Sequence, residues 1–374
     1  MAIAPKTTPL APGRKKALLI GIGYKDSSLE KLNLPHEDVK QLREFLIGKY
    51  EYAPENITVM LDGSEQAPQS ELQPTLRNIR KQAHNLVAGA RPNDHFFFYY
   101  SGHSVQVPEL STEQQTELDG KDEVMVPSNG NVSTDESIRE SCLVDNELKR
   151  LLINPLPAEA TFMAVLDTCH SASLLDLDHV DAWEETSWGG KTTQLEKIIE
   201  FHNHAKKQAS PPNNKRTPSR KAELTHEAAN HIACGRIKYI GKPSGSTPMI
   251  PGHFPTKHAK TPVFKEYVRC SSPVPDPAHL PLVISLSACK DDQVAVENTG
   301  DKNGRSFTER LLNILRENPH PKLRDLLSKI SISIHGMLLD AANIKQLHDC
   351  LDSCQDPQMY SQSHLDMESS LKTL

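Results

Sequence analysis

A thiol and an imidazole close two apolar runs of the same kind. Residues 162–166, FMAVL, break off into Asp167, Thr168 and Cys169, and residues 96–100, FFFYY, break off into Ser101, Gly102 and His103. Short, wholly apolar runs of this kind read as strands buried on both faces. If the two lie parallel in one sheet, both breaks fall at its carboxyl edge, where open α/β sheets place their ligand sites. His103 could then take the proton of Cys169 and leave a nucleophilic thiolate. Small residues flank both groups, Gly102 and Ser104 around the histidine and Ser171 and Ala172 after the cysteine, so a substrate backbone can approach. Should a helix start after Cys169, its first amides would face a developing oxyanion. Taken by itself, the pattern fits a structural cysteine and histidine as well as a Cys/His hydrolase.

The elements that must hold these two groups follow from periodicity. A strand at residues 16–22 runs into a glycine turn. Residues 35–50 carry Val39, Leu42, Leu46 and Ile47 at helical spacing, and Pro35 suits a first helical position. Residues 57–61 predict a strand, and residues 72–87 an amphipathic helix with Leu76, Ile79, Ala83, Leu86 and Val87 on one face. After FFFYY come a polar, acidic loop, a short strand at 124–126 and a helix at 145–152. The order strand, helix, strand, helix, strand predicts an α/β fold, a mostly parallel central sheet flanked by helices. Residues 281–287 supply a further strand, and 306–316 and 322–339 two further helices.

The same reading divides the chain. Residues 1–14 are Pro- and Thr-rich and expected to be disordered; 15–185 form a large unit and 281–345 a small one. Between them, 186–280 is rich in Lys, Asn, Pro, Ser and His and reads as an exposed insert with one helix near 194–206. Residues 346–374 are polar and read as a loose tail.

Composition excludes several partners. The net charge of −6 gives no electrostatic case for nucleic acid or a membrane surface, and no run approaches the roughly 18 apolar residues of a membrane helix. The amino end has neither the order nor the apolar run of a signal peptide or anchor. Seven cysteines without CxxC pairs suit a reducing cytoplasm, with the nucleus also open. His226 to His231 lacks the HExxH spacing of a zinc helix, and Gly235 to Pro243 lacks that of a phosphate loop.

The motifs YYSGHS with the downstream ELDGKDE, LDTCHSAS followed by LLDL, and ISLSACKDDQVAVE resemble the histidine block, the cysteine block and the post-linker strand of the metacaspases, the fungal type I group among them. The resemblance implies a caspase-like fold and a cysteine endopeptidase, with Cys169 as nucleophile and His103 as general base and acid. It implies polypeptide substrates with Arg or Lys before the cut, and Asp38, Ser101 and Asp167 as the acidic floor of that pocket. Carboxylates are what a guanidinium or ammonium entering a partly dehydrated cleft requires. It implies a calcium activator held by Asp122, Asp145, Asn146 and Asp176, an oxygen-rich set that suits the ion. Glu117, Asp119 and Glu123 read instead as a solvated acidic loop. A monomer is expected, with self-cleavage at basic residues of the insert. Ser104 and Ala172 stand where the family pattern has glycine, and a side chain there could crowd the site or restrict φ. They motivate a second reading, a catalytically weakened scaffold that binds or regulates other proteins.

Overall fold

The structure, a computed structural model, describes residues 13–63, 67, 69–110, 120–177, 179–182, 267–268, 280–291, 293, 295, 297, 306–341, 355–363 and 365–371. Its main sheet contains β1 (Lys15–Gly21), β2 (Ile57–Leu61), β3 (His95–Ser101), β7 (Thr161–Asp167), β8 (His179–Ala182), β9 (Tyr267–Val268), β10 (Leu282–Ser287) and β11 (Gln358–Ser361). Their spatial order is β2-β1-β3-β7-β10-β11-β8-β9. The first five are parallel, and β11, β8 and β9 add on antiparallel. A second, three-stranded antiparallel sheet joins β4 (Ser104–Pro108), β5 (Lys121–Met125) and β6 (Leu143–Val144).

The buried runs explain why the parallel strands sit in the middle. Along β3, Phe96, Phe98 and Tyr100 pack on one face with Leu18, Ile20, Phe162 and Leu166, under α2 (Leu76–Val87) and α4 (Asp145–Leu152). Phe97 and Tyr99 face the other way with Leu19, Met163 and Leu286, under α1 (Pro35–Tyr50), α5 (Phe307–Glu317) and α6 (Leu323–Ala341). Each of these aromatic side chains stabilises the fold by about 1.5–3 kcal/mol through burial. With two covered faces, strands must be apolar at every position rather than at alternate ones.

Register then fixes the site. Gly21 pairs with Ser101, and Ser101 pairs with Asp167, so β1, β3 and β7 end level with one another. His103 and Cys169 each lie two residues beyond those ends.

Four sequence expectations need correction. Within the expected tail 346–374, the described residues 355–363 and 365–371 are packed: β11 lies between β10 and β8 in the sheet, and Met359, Leu365 and Leu371 are buried on the face covered by α1, α5 and α6. Tyr267–Val268, inside the expected insert, pairs with β8. Arg14 is tied to Asp94 by its amide at 2.8 Å and its guanidinium at 2.5 Å, so the ordered chain begins before the first strand. Helix α2 starts four residues later than its periodicity implies, because Pro74 precedes and the Thr75 side chain caps Asn78 N. The short helix α3 (Asp135–Ser141) was not foreseen. The expected helix at 194–206, residues 1–12 and most of the insert lie outside the described residues. Among those described, no helix is long and apolar enough to cross a membrane.

Candidate active site

The break after β3 and the break after β7 are locked to each other. Thr168 Oγ1 donates to Gly102 O at 2.7 Å and lies 2.8 Å from Ser104 Oγ, which donates to the carbonyl of Cys169. Gly102 must be glycine, since a Cβ there would stand 2.7 Å from the Tyr100 hydroxyl and 2.9 Å from that of Tyr24. The structure therefore brings the segments of His103 and Cys169 together at one sheet edge.

The imidazole is held from several sides. Nε2 lies 2.7 Å from the carbonyl of Glu30, which can only accept, so Nε2 carries the proton and Nδ1 is left as the basic nitrogen. The ring stacks on Tyr24 with centroids 4.5 Å apart. Burial lowers the imidazole pKa below its ordinary value. Glu30 escapes sequence reasoning because its contribution is a main-chain carbonyl.

Cys169 is 6% exposed, and burial pushes its thiol up to about 11, with the amide of Ala295 working in the other direction. Burial therefore favours the uncharged form of both groups, thiol and imidazole. Cys289, Asp291 and Gln293 bond to the segment of Cys169: Cys289 Sγ donates to Thr168 O, His170 N donates to Gln293 O at 3.1 Å, and Ser173 N donates to Asp291 Oδ1 at 2.9 Å. No helix begins after Cys169. The amides of His170 and Ser173 are thus already committed, which corrects the expectation that they face an oxyanion. Iodoacetamide should alkylate Cys169 slowly at pH 7 and faster as pH rises toward 11, measured by mass spectrometry of the intact protein.

The two departures from glycine do not crowd the cleft. The Ser104 side chain is spent on Thr168 and Cys169, and Ala172 is 2% exposed inside the core cluster. Ala172 is also absent from the positive-φ residues, so its Cβ causes no backbone strain.

Two of the three residues expected at the pocket floor, Asp38 and Asp167, are bonded to the start of α5. Asp167 Oδ2 accepts from Thr308 N at 3.0 Å and from Thr308 Oγ1 at 2.7 Å, and Asp38 Oδ1 accepts from Ser306 Oγ at 2.9 Å. Ser101 is the register partner of Asp167. Burial, then the charge of Asp167, raises Asp38 well above the usual carboxylate range, and burial raises Asp167 too. Among the described residues no Lys or Arg pairs with either. The sequence reading missed Ser306, Thr308 and Glu309, although Ser306-Phe-Thr-Glu309 carries the spacing of a capping box, with Glu309 N donating to Ser306 Oγ.

The calcium set meets a different outcome. Asp122 Oδ2 is paired with Arg139 at 2.9 Å, and Asp176 Oδ2 with Lys149 at 3.2 Å. Asp145 accepts from the amides of Glu123 and Asn146. Among the described residues no three His, Cys, Asp or Glu side chains form a group able to hold a metal ion. The donor chemistry suits calcium, but in this arrangement two of the carboxylates carry internal cations, and the residues do not fit the ion. Glu123 is no solvated loop residue: it is 1% exposed, its carboxyl accepts from Gln106 and Ser173, and burial pushes it up to about 9. Glu117 and Asp119 lie outside the described residues.

A mostly parallel α/β sheet flanked by helices, with the segments of a cysteine and a histidine brought to one edge, fits the fold of a caspase-like domain. The family model described as "Metacaspase, peptidase C14 domain" matches residues 15–178 of this chain. Metacaspase-1 of Coccidioides immitis is 39% identical over 168 residues, 45% of this chain and 33% of that protein. Metacaspase-1A of Aspergillus terreus is 39% identical over 168 residues, 45% of this chain and 38% of that protein. Metacaspase-1 of Cryptococcus neoformans var. neoformans is 37% identical over 172 residues, 46% of this chain and 35% of that protein. The chain thus spans about a third of the length of the curated relatives it matches.

Proposed function

We propose that this chain is a cysteine endopeptidase that cuts polypeptides after Arg or Lys, with Cys169 as nucleophile and His103 as base. One observation carries the substrate preference: Asp38 is buried, Asp167 is partly buried two residues before the cysteine, and among the described residues neither pairs with a Lys or Arg. Burial disfavours the charge on these carboxyls, and a guanidinium or ammonium arriving on the substrate supplies the cation that would stabilise it. His103 accepts the thiol proton at Nδ1 as sulfur attacks the scissile carbonyl. It then returns that proton to the leaving amine.

The test is turnover of Arg- and Lys-ended fluorogenic peptides by the full chain, with Cys169→Ala as the blank. Hydrolysis by the wild type alone supports the reading, and an inert wild type overturns it. A pH series adds a second check. Substrate binding favours the ionised form of Asp38, whose pKa is raised, so KM for an Arg-ended peptide should fall as pH climbs from the ordinary carboxylate range through that raised value. A KM flat across that window would speak against the carboxylate floor.

Self-cleavage is proposed at Lys206, Lys207, Lys215, Arg216, Arg220 or Lys221 of the insert, from residue type alone. Calcium enters the proposal as a competitor, because an ion at this site must displace Arg139 from Asp122 and Lys149 from Asp176. The chain is proposed to act as a monomer in the cytoplasm or nucleus, where the free thiols of Cys142, Cys169 and Cys289 stay reduced. A scaffold with little turnover remains the second reading, favoured by the buried, high-pKa thiol rather than by Ser104 and Ala172.

A further inference from the structure

The stacking partner of His103 is itself held in an unusual way. Tyr24 lies three residues past the end of β1 and takes φ +54°, a left-handed conformation that costs a non-glycine residue on the order of 1 kcal/mol or more. Such strain persists only where the surroundings over-determine it. Here Asp62 Oδ1 accepts from Gly23 N at 2.7 Å, and the same oxygen lies 2.6 Å from His36 Nε2 in a buried pair. Gly23 O accepts from Leu32 N, and Tyr24 O accepts from Ser27 N, closing the loop that also carries Glu30.

The Tyr24 side chain serves the histidine twice. Its hydroxyl accepts from His103 N at 2.9 Å and donates to Val126 O at 2.6 Å, while its ring lies against the imidazole. Tyr100 completes the bracket by donating to His103 O at 2.5 Å. Both main-chain groups of His103, one ring face and Nε2 are thereby fixed, and Nδ1 keeps one direction.

We propose that Tyr24 is the positioning residue for the His103 imidazole, held in its strained conformation through Gly23 by the buried Asp62–His36 pair. The inference rests on His103 acting as the base. A platform under the ring restricts the rotamers open to the imidazole and so the directions open to Nδ1. A 1 Å misplacement of a catalytic group costs on the order of 100-fold in rate. Tyr24 touches no reacting atom, so its loss should appear in kcat rather than in KM.

The experiment compares full-length wild type with Tyr24→Leu, Tyr24→Phe and His103→Ala. It measures kcat, KM, the pH profile of kcat and the thermal midpoint. It also follows the His103 imidazole signals by NMR in a Cys169→Ala background. Tyr24→Leu is expected to lower kcat about 10- to 100-fold with KM unchanged within twofold. The acidic limb of its profile should move up toward the ordinary histidine range as water reaches the ring. Tyr24→Phe keeps the platform and should lose only several-fold. The proposal is overturned if both variants keep the wild-type kcat and profile, or if Tyr24→Phe, which leaves the packing intact, leaves the His103 signals where they are while Tyr24→Leu loses kcat only in step with its thermal midpoint. A His103→Ala protein that still turns over substrate sinks the underlying base assignment instead. An inert His103→Ala beside wild-type-like Tyr24 variants sinks the Tyr24 role alone.

Discussion

Asp38→Asn is expected to lower kcat/KM for an Arg-ended peptide roughly 30- to 1,000-fold while raising the thermal midpoint of the free protein. The kinetic half follows from removing one member of a largely desolvated charge pair formed with substrate, about 2–4 kcal/mol. The stability half follows from the sign of the pKa shift. Burial and the charge of Asp167 raise Asp38 above its unfolded value, so folding favours its protonated form. Its stabilising contribution is complete below the unfolded pKa and is lost as pH rises through the folded one. Asparagine stays uncharged throughout, and its carbonyl can still accept from Ser306 Oγ. The fall should be confined to basic substrates, because a peptide with Gln at the same position brings no charge to the floor. Steady-state kinetics on the two peptides, together with calorimetry at neutral pH, check both halves. A destabilised variant, or equal losses on Arg and Gln peptides, would show that Asp38 is structural.

How much of this was legible in the sequence depends on the range over which each signal acts. The strands of FFFYY and FMAVL could be found because two-sided burial leaves a local, continuous apolar run. Their breaks place His103 and Cys169 at one edge, and the pairing of Ser101 with Asp167 agrees with that placement. Strand β11 has no such run: Gln358 and Ser361 are polar yet 4% and 0% exposed, so nothing local marks the segment as buried. The pocket was half legible. Asp167 stands two residues before the cysteine, but Ser306 meets Asp38 across 268 positions, and the capping box tells only that a helix starts there. Ser104 and Ala172 show the reverse case. Residue type alone made them obstacles, and only their packing shows that one hydroxyl and one methyl are absorbed elsewhere. Glu123 misled for a similar reason, since a carboxylate in an acidic run looks solvated until its neighbours bury it.

The acidic site around Asp122 yields the second large expected effect. Arg139→Ala should destabilise the protein by about 2–4 kcal/mol, and calcium should restore part of that loss, whereas the wild type should show little calcium-dependent shift. The guanidinium donates to Asp122 Oδ2 and to Pro108 O, tying α3 to β4 and β5. Its side chain is 18% exposed and that of Asp122 only 5%, so removing it leaves a buried carboxylate without its cation. A fully buried pair broken in this way costs about 3–5 kcal/mol, and the partial exposure of Arg139 trims the figure. The Asp145 carboxylate, bonded to the amide of Glu123 next to Asp122, adds a second oxygen-bearing side chain close by. An ion that binds only the folded variant contributes about 2.7 kcal/mol at a concentration 100-fold above its Kd. Thermal midpoints in calcium and in chelator, with titration calorimetry on both proteins, read this directly. If the wild type binds calcium as tightly as Arg139→Ala does, the guanidinium is not holding the ion's place. If neither protein binds it, the oxygen donors of this chain belong to an ion-pair network and to nothing else.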